Sequence, residues 1–433
     1  MSNKIIKALL INPPFPVKDG VSHLPLPLAY IGALFLQNGV KVKALDCAIE
    51  EDWQLNSLKK YQNFKPNLVI INCYLAKHFY YASFTAKRIK ETWPDALVAT
   101  TGMHPTFASQ EILGRHKEFD IVILHEPEMQ AVELIEYLRD NRKMKDIKGI
   151  AYRYKNEIIK NSLMPLVANL DDLPFPARRL FPIIKYYKKD FETTLRAGRG
   201  CGFNCNFCLQ NKMARQLRER KAKSIVNELK EVCDMGFKSI FFEDENITSN
   251  KKRVVDICKK IISQKIKVRW SGNSRISDYD NSQNTLKMLE LMKKSGCHRI
   301  FCGIESNNDI CLKAINKKIK IEQIEKNIKL IQSFGIEVHG SFIIGLPGVN
   351  EKDHLKLVDY AKSLELDMVS FNIMTPYPGT ELYSEANKLG IIIPDKYWYE
   401  KKDWYNRPIA GTKEIPPEEM KDVLRGVYTN YFS

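Results

Sequence analysis

Cys201, Cys205 and Cys208 lie in Arg199-Gly-Cys-Gly-Phe-Asn-Cys-Asn-Phe-Cys208, three thiols within eight positions and no fourth cysteine near enough to complete a set. Thiolates favour zinc, copper(I) and iron–sulfur centres, and a structural zinc site asks for a second cysteine pair or histidines further along. No such pair follows. Cys233, Cys258, Cys297, Cys302 and Cys311 are scattered singly, the pattern of small buried hydrophobes. Gly198, Gly200 and Gly202 let the short loop wrap closely round a ligand. A [4Fe–4S] cluster held by three thiolates keeps one iron open to an outside ligand, so the triplet points to chemistry rather than to electron storage. A zinc loop or a chance grouping is the plain alternative.

The rest of the chain must position that loop. At 433 residues it is long enough for two or three domains, each with its own core. Met-Ser-Asn-Lys-Ile-Ile-Lys7 runs directly into Ala-Leu-Leu-Ile-Asn12, an apolar run too short for a secretion signal, and no stretch approaches about 18 uncharged apolar residues. The expectation is a cytoplasmic protein with reduced cysteines and no membrane span. A formal charge of +16 invites a nucleic-acid reading. The lysines are dispersed along polar helical faces, however, so nucleic acid is not an expected partner and the surplus leans towards a substrate with an anionic group. The densest basic stretch, Lys212 to Lys223, reads as a solvated helix face or as an approach for such a substrate.

Short apolar strands alternate with helices from the start. Lys7–Asn12, Val40–Asp46, Asn67–Asn72, Asp95–Thr100 and Asp120–Leu124 read as buried parallel strands, with a helix from Leu26 to Asn38 ending at Gly39. Sheets of this kind take ligands beyond the carboxyl ends of their strands. The candidate residues of that edge are Pro13, Asn72, Gly102, His104 and Glu126. Residues 141–190 read as a linker, with a hairpin turn at Arg153-Tyr-Lys-Asn156. The alternation then resumes with strands at Thr193–Arg196, Ser239–Phe242, Lys267–Trp270, Arg299–Cys302, Glu337–Ile344 and Met368–Ile373. Six strand–helix units imply a partial (β/α)6 barrel whose chemistry sits at the carboxyl ends of its strands. Glu243, Asp244, Arg275, Glu305, Ser306, Gly345 and Tyr377 collect there.

The expected fold class is therefore α/β, with a Rossmann-like parallel-sheet domain over 1–140, the linker, a TIM-type barrel over 191–385 and a small, mostly helical extension over 386–433 that covers the barrel mouth. Two tryptophans and three tyrosines in Tyr397–Tyr405 either select a substrate there or seal the barrel as packing.

The Cys-x3-Cys-x2-Cys spacing, with Phe207 before the last cysteine, resembles the signature of the radical S-adenosylmethionine (SAM) superfamily. Gly303-Ile-Glu-Ser306, Gly340-Ser-Phe-Ile-Ile-Gly-Leu-Pro-Gly348, Thr375-Pro-Tyr-Pro-Gly-Thr380 and Leu170-Asp-Asp-Leu-Pro-Phe-Pro176 match the same class. Pro25-Leu-Pro-Leu-Ala-Tyr-Ile-Gly32, Gly102-Met-His-Pro-Thr106 and His125-Glu-Pro-Glu128 resemble the N-terminal cobalamin-binding domain of the branch that includes the anaerobic magnesium-protoporphyrin cyclase and cobalamin-dependent methyltransferases.

The resemblance implies a [4Fe–4S] cluster on Cys201, Cys205 and Cys208, SAM on its open iron with the adenine beside Phe207, and a 5'-deoxyadenosyl radical as the product of SAM cleavage. It places Glu243 and Asp244 by the SAM amino group, their duties undivided, and Arg275 by the SAM carboxylate. Glu305 and Ser306 fall by the ribose, Gly345 by the adenine and Tyr377 by the substrate. A structural Arg275–Glu305 ion pair is the plain alternative for those two. Cobalamin is the implied second cofactor, although the Asp-x-His-x-x-Gly motif that carries a histidine ligand to cobalt is absent; His104 is a replacement ligand or a turn cap, and a vestigial first domain stays open. The implied reaction is methylation of an unactivated carbon or phosphinate phosphorus of a small molecule or peptide, with flavodoxin or ferredoxin as electron donor. A radical cyclase, rearrangement enzyme or dehydratase is the alternative, and a non-enzymatic iron–sulfur module a further one. RNA methylthiolation lacks the three extra N-terminal cysteines it needs.

Overall fold

The structure, a computed structural model, describes residues 5–15, 23–52, 54–187, 192–403 and 409–433. Pro16 of the first loop, and Trp404 and Tyr405 of the aromatic tail, lie outside the described residues. The chain forms two compact units, the first of residues Met1–Glu192 with Tyr399–Lys402, the second of Thr193–Trp398 with Asp403–Ser433.

The first unit is built on a seven-stranded sheet of β1 (Lys7–Asn12), β2 (Lys41–Asp46), β3 (Leu68–Asn72), β4 (Leu97–Thr101), β5 (Ile121–Ile123), β6 (Ile150–Tyr154) and β7 (Glu157–Lys160), ordered β2-β1-β3-β4-β5-β6-β7. Strands β1 to β5 are parallel. Their continuous apolar runs, such as Ala8–Ile11 and Leu68–Ile71, are buried because both faces are covered. The cover is α1 (Leu26–Gln37), α2 (Cys47–Glu50), α3 (Phe79–Thr92), α4 (Met103–Arg115) and α5 (Glu128–Leu138), with α6 (Ile183–Tyr187) near the end of the unit. Pro27 in the first turn of α1 removes no needed hydrogen bond, and Gly39 in the left-handed region ends that segment.

The sheet is mixed rather than wholly parallel: β6 and β7, from the stretch read as linker, pair antiparallel with β5 and with each other. The turn read at 153–156 is the β6–β7 hairpin, with Lys155 left-handed at its tip. Strand order reverses at β1, with β2 on one side and β3 on the other. This makes the carboxyl ends of β1 and β3 the switch point where such sheets open a crevice.

In the second unit a six-stranded sheet runs β15-β14-β13-β12-β11-β8, through β8 (Glu192–Leu195), β11 (Ser239–Phe242), β12 (Arg269–Ser274), β13 (Cys297–Glu305), β14 (Glu337–Ile344) and β15 (Met368–Ile373). The pairs from β11 to β15 are parallel. A two-stranded ribbon of β9 (Gly198–Arg199) and β10 (Arg218–Glu219) brackets the cysteine loop. The helices are α7 (Gln210–Met213), α8 (Ala222–Asp234), α9 (Lys251–Ser263), α10 (Gln283–Lys294), α11 (Asp309–Ala314), α12 (Ile321–Ser333), α13 (Glu351–Ser363), α14 (Glu381–Ser384) and α15 (Met420–Phe432). The amphipathic repeat of α8, for example, buries Ile225, Val226, Leu229 and Val232. With β8 and β15 at its two edges, this is the open, partial (β/α)6 barrel. No helix among the described residues is long and apolar enough to cross a membrane.

Two expectations need correction. The basic stretch after the cysteines is not a solvated helix face: Arg218 and Arg220 are buried by the ribbon, and Arg220 pairs with the fully buried Glu228. The aromatic tail divides, with Trp398 packed 6.2 Å from the Tyr377 ring in the second unit and Tyr399–Lys402 belonging to the first.

Candidate functional site

The cysteine loop is shaped by backbone contacts. Gly200, at φ +95°, runs so close to Gln216 that a Cβ there would meet the Gln216 carbonyl at 2.2 Å, so only glycine fits. Gly202, by contrast, borders open space. The Cys201 N–H donates to the Ala214 carbonyl at 3.1 Å, and the Asn211 amide donates to the Cys205 carbonyl at 2.9 Å. All three cysteines are free, Cys205 buried and the others half-buried. Burial pushes the Cys208 thiol up to about 11, so loading with metal displaces its proton.

Among the described residues no group of His, Cys, Asp or Glu converges to hold a single metal ion. A cubane does not need such convergence, because its three thiolates bind three different irons. A compact triplet of free thiols fits that group, and a cation attends it: Arg275 Nη1 lies 3.8 Å from Cys205 Sγ, and its guanidinium covers the Phe203 ring at 3.6 Å.

Around this loop the strand ends converge. Strand β13 carries a bulge between Gly303 and Glu305, and Glu305 takes the left-handed conformation at φ +69°. The turn swings its carboxylate over Gly303, where a Cβ would meet Glu305 Oε1 at 2.2 Å and Lys317 Nζ at 2.7 Å. Glu305 and Lys317 form a buried ion pair at 2.7 Å, each side chain 9% exposed. Lys317 Nζ also lies 5.9 Å from the Phe207 ring, and its backbone carbonyl accepts a hydrogen bond from Arg275. The Arg275–Glu305 pair is therefore not formed: the arginine is taken by Phe203 and a carbonyl, and the glutamate by Lys317.

The sequence reading missed Lys317 and Phe203. Alternation in Ile315-Asn-Lys317-Lys-Ile319, with Ile315, Lys317 and Ile319 buried and Lys318 exposed, is the signal that sets Lys317 inward.

The other barrel candidates occupy separate positions. Glu243 is half-buried and pairs with Arg196 at 3.2 Å. Asp244 is buried and accepts from the Ala197 N–H at 2.7 Å, with Arg253 3.4 Å away; burial raises its pKa against those contacts. Asp244 thus braces β8 and β9, while Glu243 keeps the more accessible carboxylate. Ser306 accepts from the Asn308 N–H at 3.2 Å. Gly345, at φ +79°, donates its N–H to His354 Nε2 at 2.9 Å, and the side a Cβ would occupy is filled by Met420. Burial pushes the Tyr377 phenol up to about 12.

In the first unit the strand ends form a second polar site. Asn72 Nδ2 donates to Asn12 Oδ1 at 3.0 Å, and Asn12 Nδ2 to Asp46 Oδ1 at 2.9 Å, a chain across the ends of β3, β1 and β2. Asp46 is fully buried; it also accepts from the Ala48 and Ile49 N–H groups and from the Tyr186 hydroxyl. A cavity of ≈ 150 Å³ at this switch point is lined by Asn12, Pro13, Pro14, Phe15, Ala48, Asn72 and His78. His78 Nδ1 accepts from the Leu75 N–H at 3.1 Å, which leaves its proton on Nε2, and burial lowers its pKa to about 3.

The remaining candidates of that edge sit elsewhere. Gly102, at φ +132°, presses against the Cys73 carbonyl, where a Cβ would come within 2.1 Å. His104 is buried beside Phe79 and Tyr399, its ring 5.2 Å and 4.4 Å from theirs, with no hydrogen-bond partner at either nitrogen among the described residues and a pKa lowered to about 3 by burial. It does not line the cavity, and it is not a turn cap. Glu126 is half-buried between β5 and α5. Asp46 and His78 are polar residues of this site that the sequence reading did not single out.

A partial (β/α)6 barrel with a three-cysteine loop after its first strand, preceded by a mixed sheet with a polar crevice at its switch point, is the architecture that the resemblance to radical SAM enzymes with a cobalamin-binding-type domain implied. Comparison with known families agrees: residues 195–361 match the Radical SAM superfamily and residues 17–135 the B12 binding domain. Residues 195–361 are thus a radical SAM superfamily domain, and residues 17–135 a B12-binding-type domain.

Among its relatives is an uncharacterised methyltransferase of Pyrococcus horikoshii, 29% identical over 99% of this chain and 93% of that one. The anaerobic magnesium-protoporphyrin IX monomethyl ester cyclase of Rubrivivax gelatinosus is 26% identical over 94% of this chain and 73% of its own. The fold is that of the radical SAM methyltransferase TsrM from Kitasatospora setae, solved with cobalamin and a [4Fe–4S] cluster. The two superpose with a TM-score of 0.76 at 16% identity, over 90% of this chain and 81% of that one.

Proposed function

We propose that the protein is a cobalamin-dependent radical SAM methyltransferase, with Cys201, Cys205 and Cys208 holding a [4Fe–4S] cluster and an unactivated carbon or phosphinate phosphorus of a small molecule or peptide as methyl acceptor. The observation that carries this reading is the pairing, in one chain, of a three-cysteine loop tied to β12 and β13 with a polar cavity at the β1/β3 switch point. Bound at these sites, the cluster and SAM supply a 5'-deoxyadenosyl radical, and cobalamin supplies the methyl group.

The chain's own groups bind and orient. Phe207 offers a face to adenine, and Glu305, fixed by Lys317, accepts hydrogen bonds from ribose hydroxyls. Glu243 takes the SAM amino group, and Arg275 keeps positive charge beside the cysteine loop and the SAM carboxylate. Ser306 shapes the turn after Glu305, and Gly345 the end of β14. Tyr377, its phenol held protonated, donates a hydrogen bond towards the substrate. Asn12 and Asn72 present amides, and His78 an Nε2–H, to the polar rim of a corrin, with Pro13 giving it an apolar contact. The electron comes from a flavodoxin or ferredoxin. Free cysteines and an oxygen-sensitive cluster suit a reducing compartment such as the cytoplasm.

The test is anaerobic reconstitution with iron, sulfide and hydroxocobalamin, gel filtration, and metal and visible-spectrum analysis, followed by SAM cleavage under strong reduction. One cluster with stoichiometric cobalamin is expected. Cluster retention without cobalamin would overturn methyl transfer and favour the second reading, radical cyclisation or dehydration, to which the cyclase relative points. Cluster retention with no SAM consumption would make the protein a non-enzymatic module.

A further inference from the structure

The segment between α11 and α12 has two faces. Its inner face carries Lys317 to Glu305. Its outer face, with the ends of the flanking helices, forms a groove of ≈ 520 Å³ lined by Lys313, Lys318, Lys320, Asn316, Ile319, Gln323 and Asp309. Lys313, Lys318 and Lys320 are exposed, and among the described residues none of them forms an ion pair. Among the described lining residues the one acid is Asp309, which accepts from the Ile321 N–H at 3.2 Å. With three lysines against one carboxylate, the patch keeps a net positive charge.

It adjoins the cysteine loop directly. The Asn206 N–H donates to the Ile315 carbonyl at 3.2 Å, Asn206 Nδ2 to the Ala314 carbonyl at 2.8 Å, and Asn316 Nδ2 to the Asn204 carbonyl at 2.7 Å. Asn316 and Lys318 are both left-handed, at φ +53° and +54°, conformations that cost energy in non-glycine residues and persist where the surroundings fix them. The charged groove is therefore held in a defined geometry one residue layer from the cysteines.

We propose that this groove is the docking surface of an acidic one-electron carrier protein, and that it delivers the electron required at the cysteine loop. The inference rests on the functional reading above. Electron-transfer encounters are small and transient, and complementary charge sets their rate and orientation more than buried area does. With a flavodoxin, the anionic flavin hydroquinone gives up one electron and becomes the neutral semiquinone. The cluster on Cys201, Cys205 and Cys208 passes from the 2+ to the 1+ state, and no proton changes hands. Its three exposed lysines, with Asn316 and Gln323 between them, match a carboxylate-rich protein surface.

The experiment compares the wild-type holoprotein with a Lys313→Glu, Lys318→Glu, Lys320→Glu triple variant and a charge-matched control, Lys252→Glu, Lys259→Glu, Lys265→Glu, whose exposed lysines lie on and just after α9. Binding of a reduced bacterial flavodoxin is measured by biolayer interferometry at several salt concentrations, and SAM cleavage is driven by flavodoxin or by dithionite. The expected result is at least a tenfold weaker, salt-insensitive flavodoxin affinity for the groove variant alone, with dithionite-driven cleavage within twofold of wild type. Equal affinity and salt slope in wild type and groove variant would overturn the proposal, as would equal weakening of the control. Displacement of flavodoxin from the groove by single-stranded RNA at matched concentration would overturn it in favour of a general polyanion surface. Failure of the underlying reading is separate: no protein would then cleave SAM even with dithionite.

Discussion

Replacing Lys317 by methionine tests the centre of the site. At 2.7 Å the attraction between Lys317 and Glu305 is about 6 kcal/mol for an effective dielectric constant of about 20, most of it offset by desolvating two charges. The net worth of the intact pair is therefore small. One-sided removal is different, because a 9%-exposed carboxylate is left without its ion-pair partner, and such losses run to ~3–5 kcal/mol. Lys317→Met is expected to lower the unfolding free energy of the barrel transition, read from urea melts, by an amount in that range, while Glu305→Gln/Lys317→Met, which removes both charges, recovers most of it. Because Arg275 is held by the Lys317 backbone, its stacking on Phe203 survives both changes. SAM affinity, measured anaerobically by isothermal calorimetry, should fall in both variants, since neither presents an ionised, fixed Glu305. A Lys317→Met loss below about 1 kcal/mol, or a double variant that binds SAM as wild type does, would refute the reasoning.

Other expectations follow from local geometry. Cys201→Ala should abolish the broad visible absorbance and the bound iron of the reconstituted protein while leaving apoprotein stability within about 1 kcal/mol, because its half-buried thiol contributes little packing. Gly102→Ala meets the Cys73 carbonyl at 2.1 Å from a backbone at φ +132° and should cost ~1–3 kcal/mol or more in the first unit, read as a lowered thermal midpoint. Asn12→Ala breaks the Asp46–Asn12–Asn72 chain and should weaken cobalamin retention on gel filtration without altering iron content.

Stability of the first unit should also depend on pH through His116, which bonds Glu118 at 3.1 Å and Glu400 at 3.0 Å. Burial alone would lower the His116 pKa, but those two carboxylates raise it above its ordinary 6.5. Burial would raise the pKa values of Glu118 and Glu400, but their hydrogen bonds to His116, Ser83 and Arg115 outweigh it and hold both below 4.5. The histidine's contribution is complete below 6.5 and lost as pH rises through its raised value; the glutamates' contribution is complete above 4.5 and lost on acidification through their lowered values. A thermal midpoint highest between about pH 4.5 and 6.5, and a flatter profile for His116→Gln, check this.

Much of this protein is written in local pattern. Strands such as Ser239–Phe242, Glu337–Ile344 and Met368–Ile373 have the ends that apolar runs and turn residues assign them, even though the first two bury fully only alternate residues. The three cysteines and their loop are likewise legible, since eight consecutive residues contain all the donors. Patterns without periodicity were harder. Residues 150–160 are too short and polar to declare themselves as sheet strands, and only pairing with β5 makes them so.

Tertiary structure alone decided which charges meet. Glu305 and Arg275 are near neighbours in any strand-end reading, but the β13 bulge turns the glutamate onto Lys317, and Phe203 with a backbone carbonyl claims the arginine. His104 sits where a ligand histidine is looked for, yet the packing of Phe79 and Tyr399 encloses its ring, and the cavity instead faces Asn12, Asn72 and His78. Sequence thus determined the elements and the donor set, which depend on neighbours along the chain. The orientation of each ionised group was left to contacts between residues far apart in sequence, because a charge in a low-dielectric interior settles on the partner that packing brings within hydrogen-bond reach.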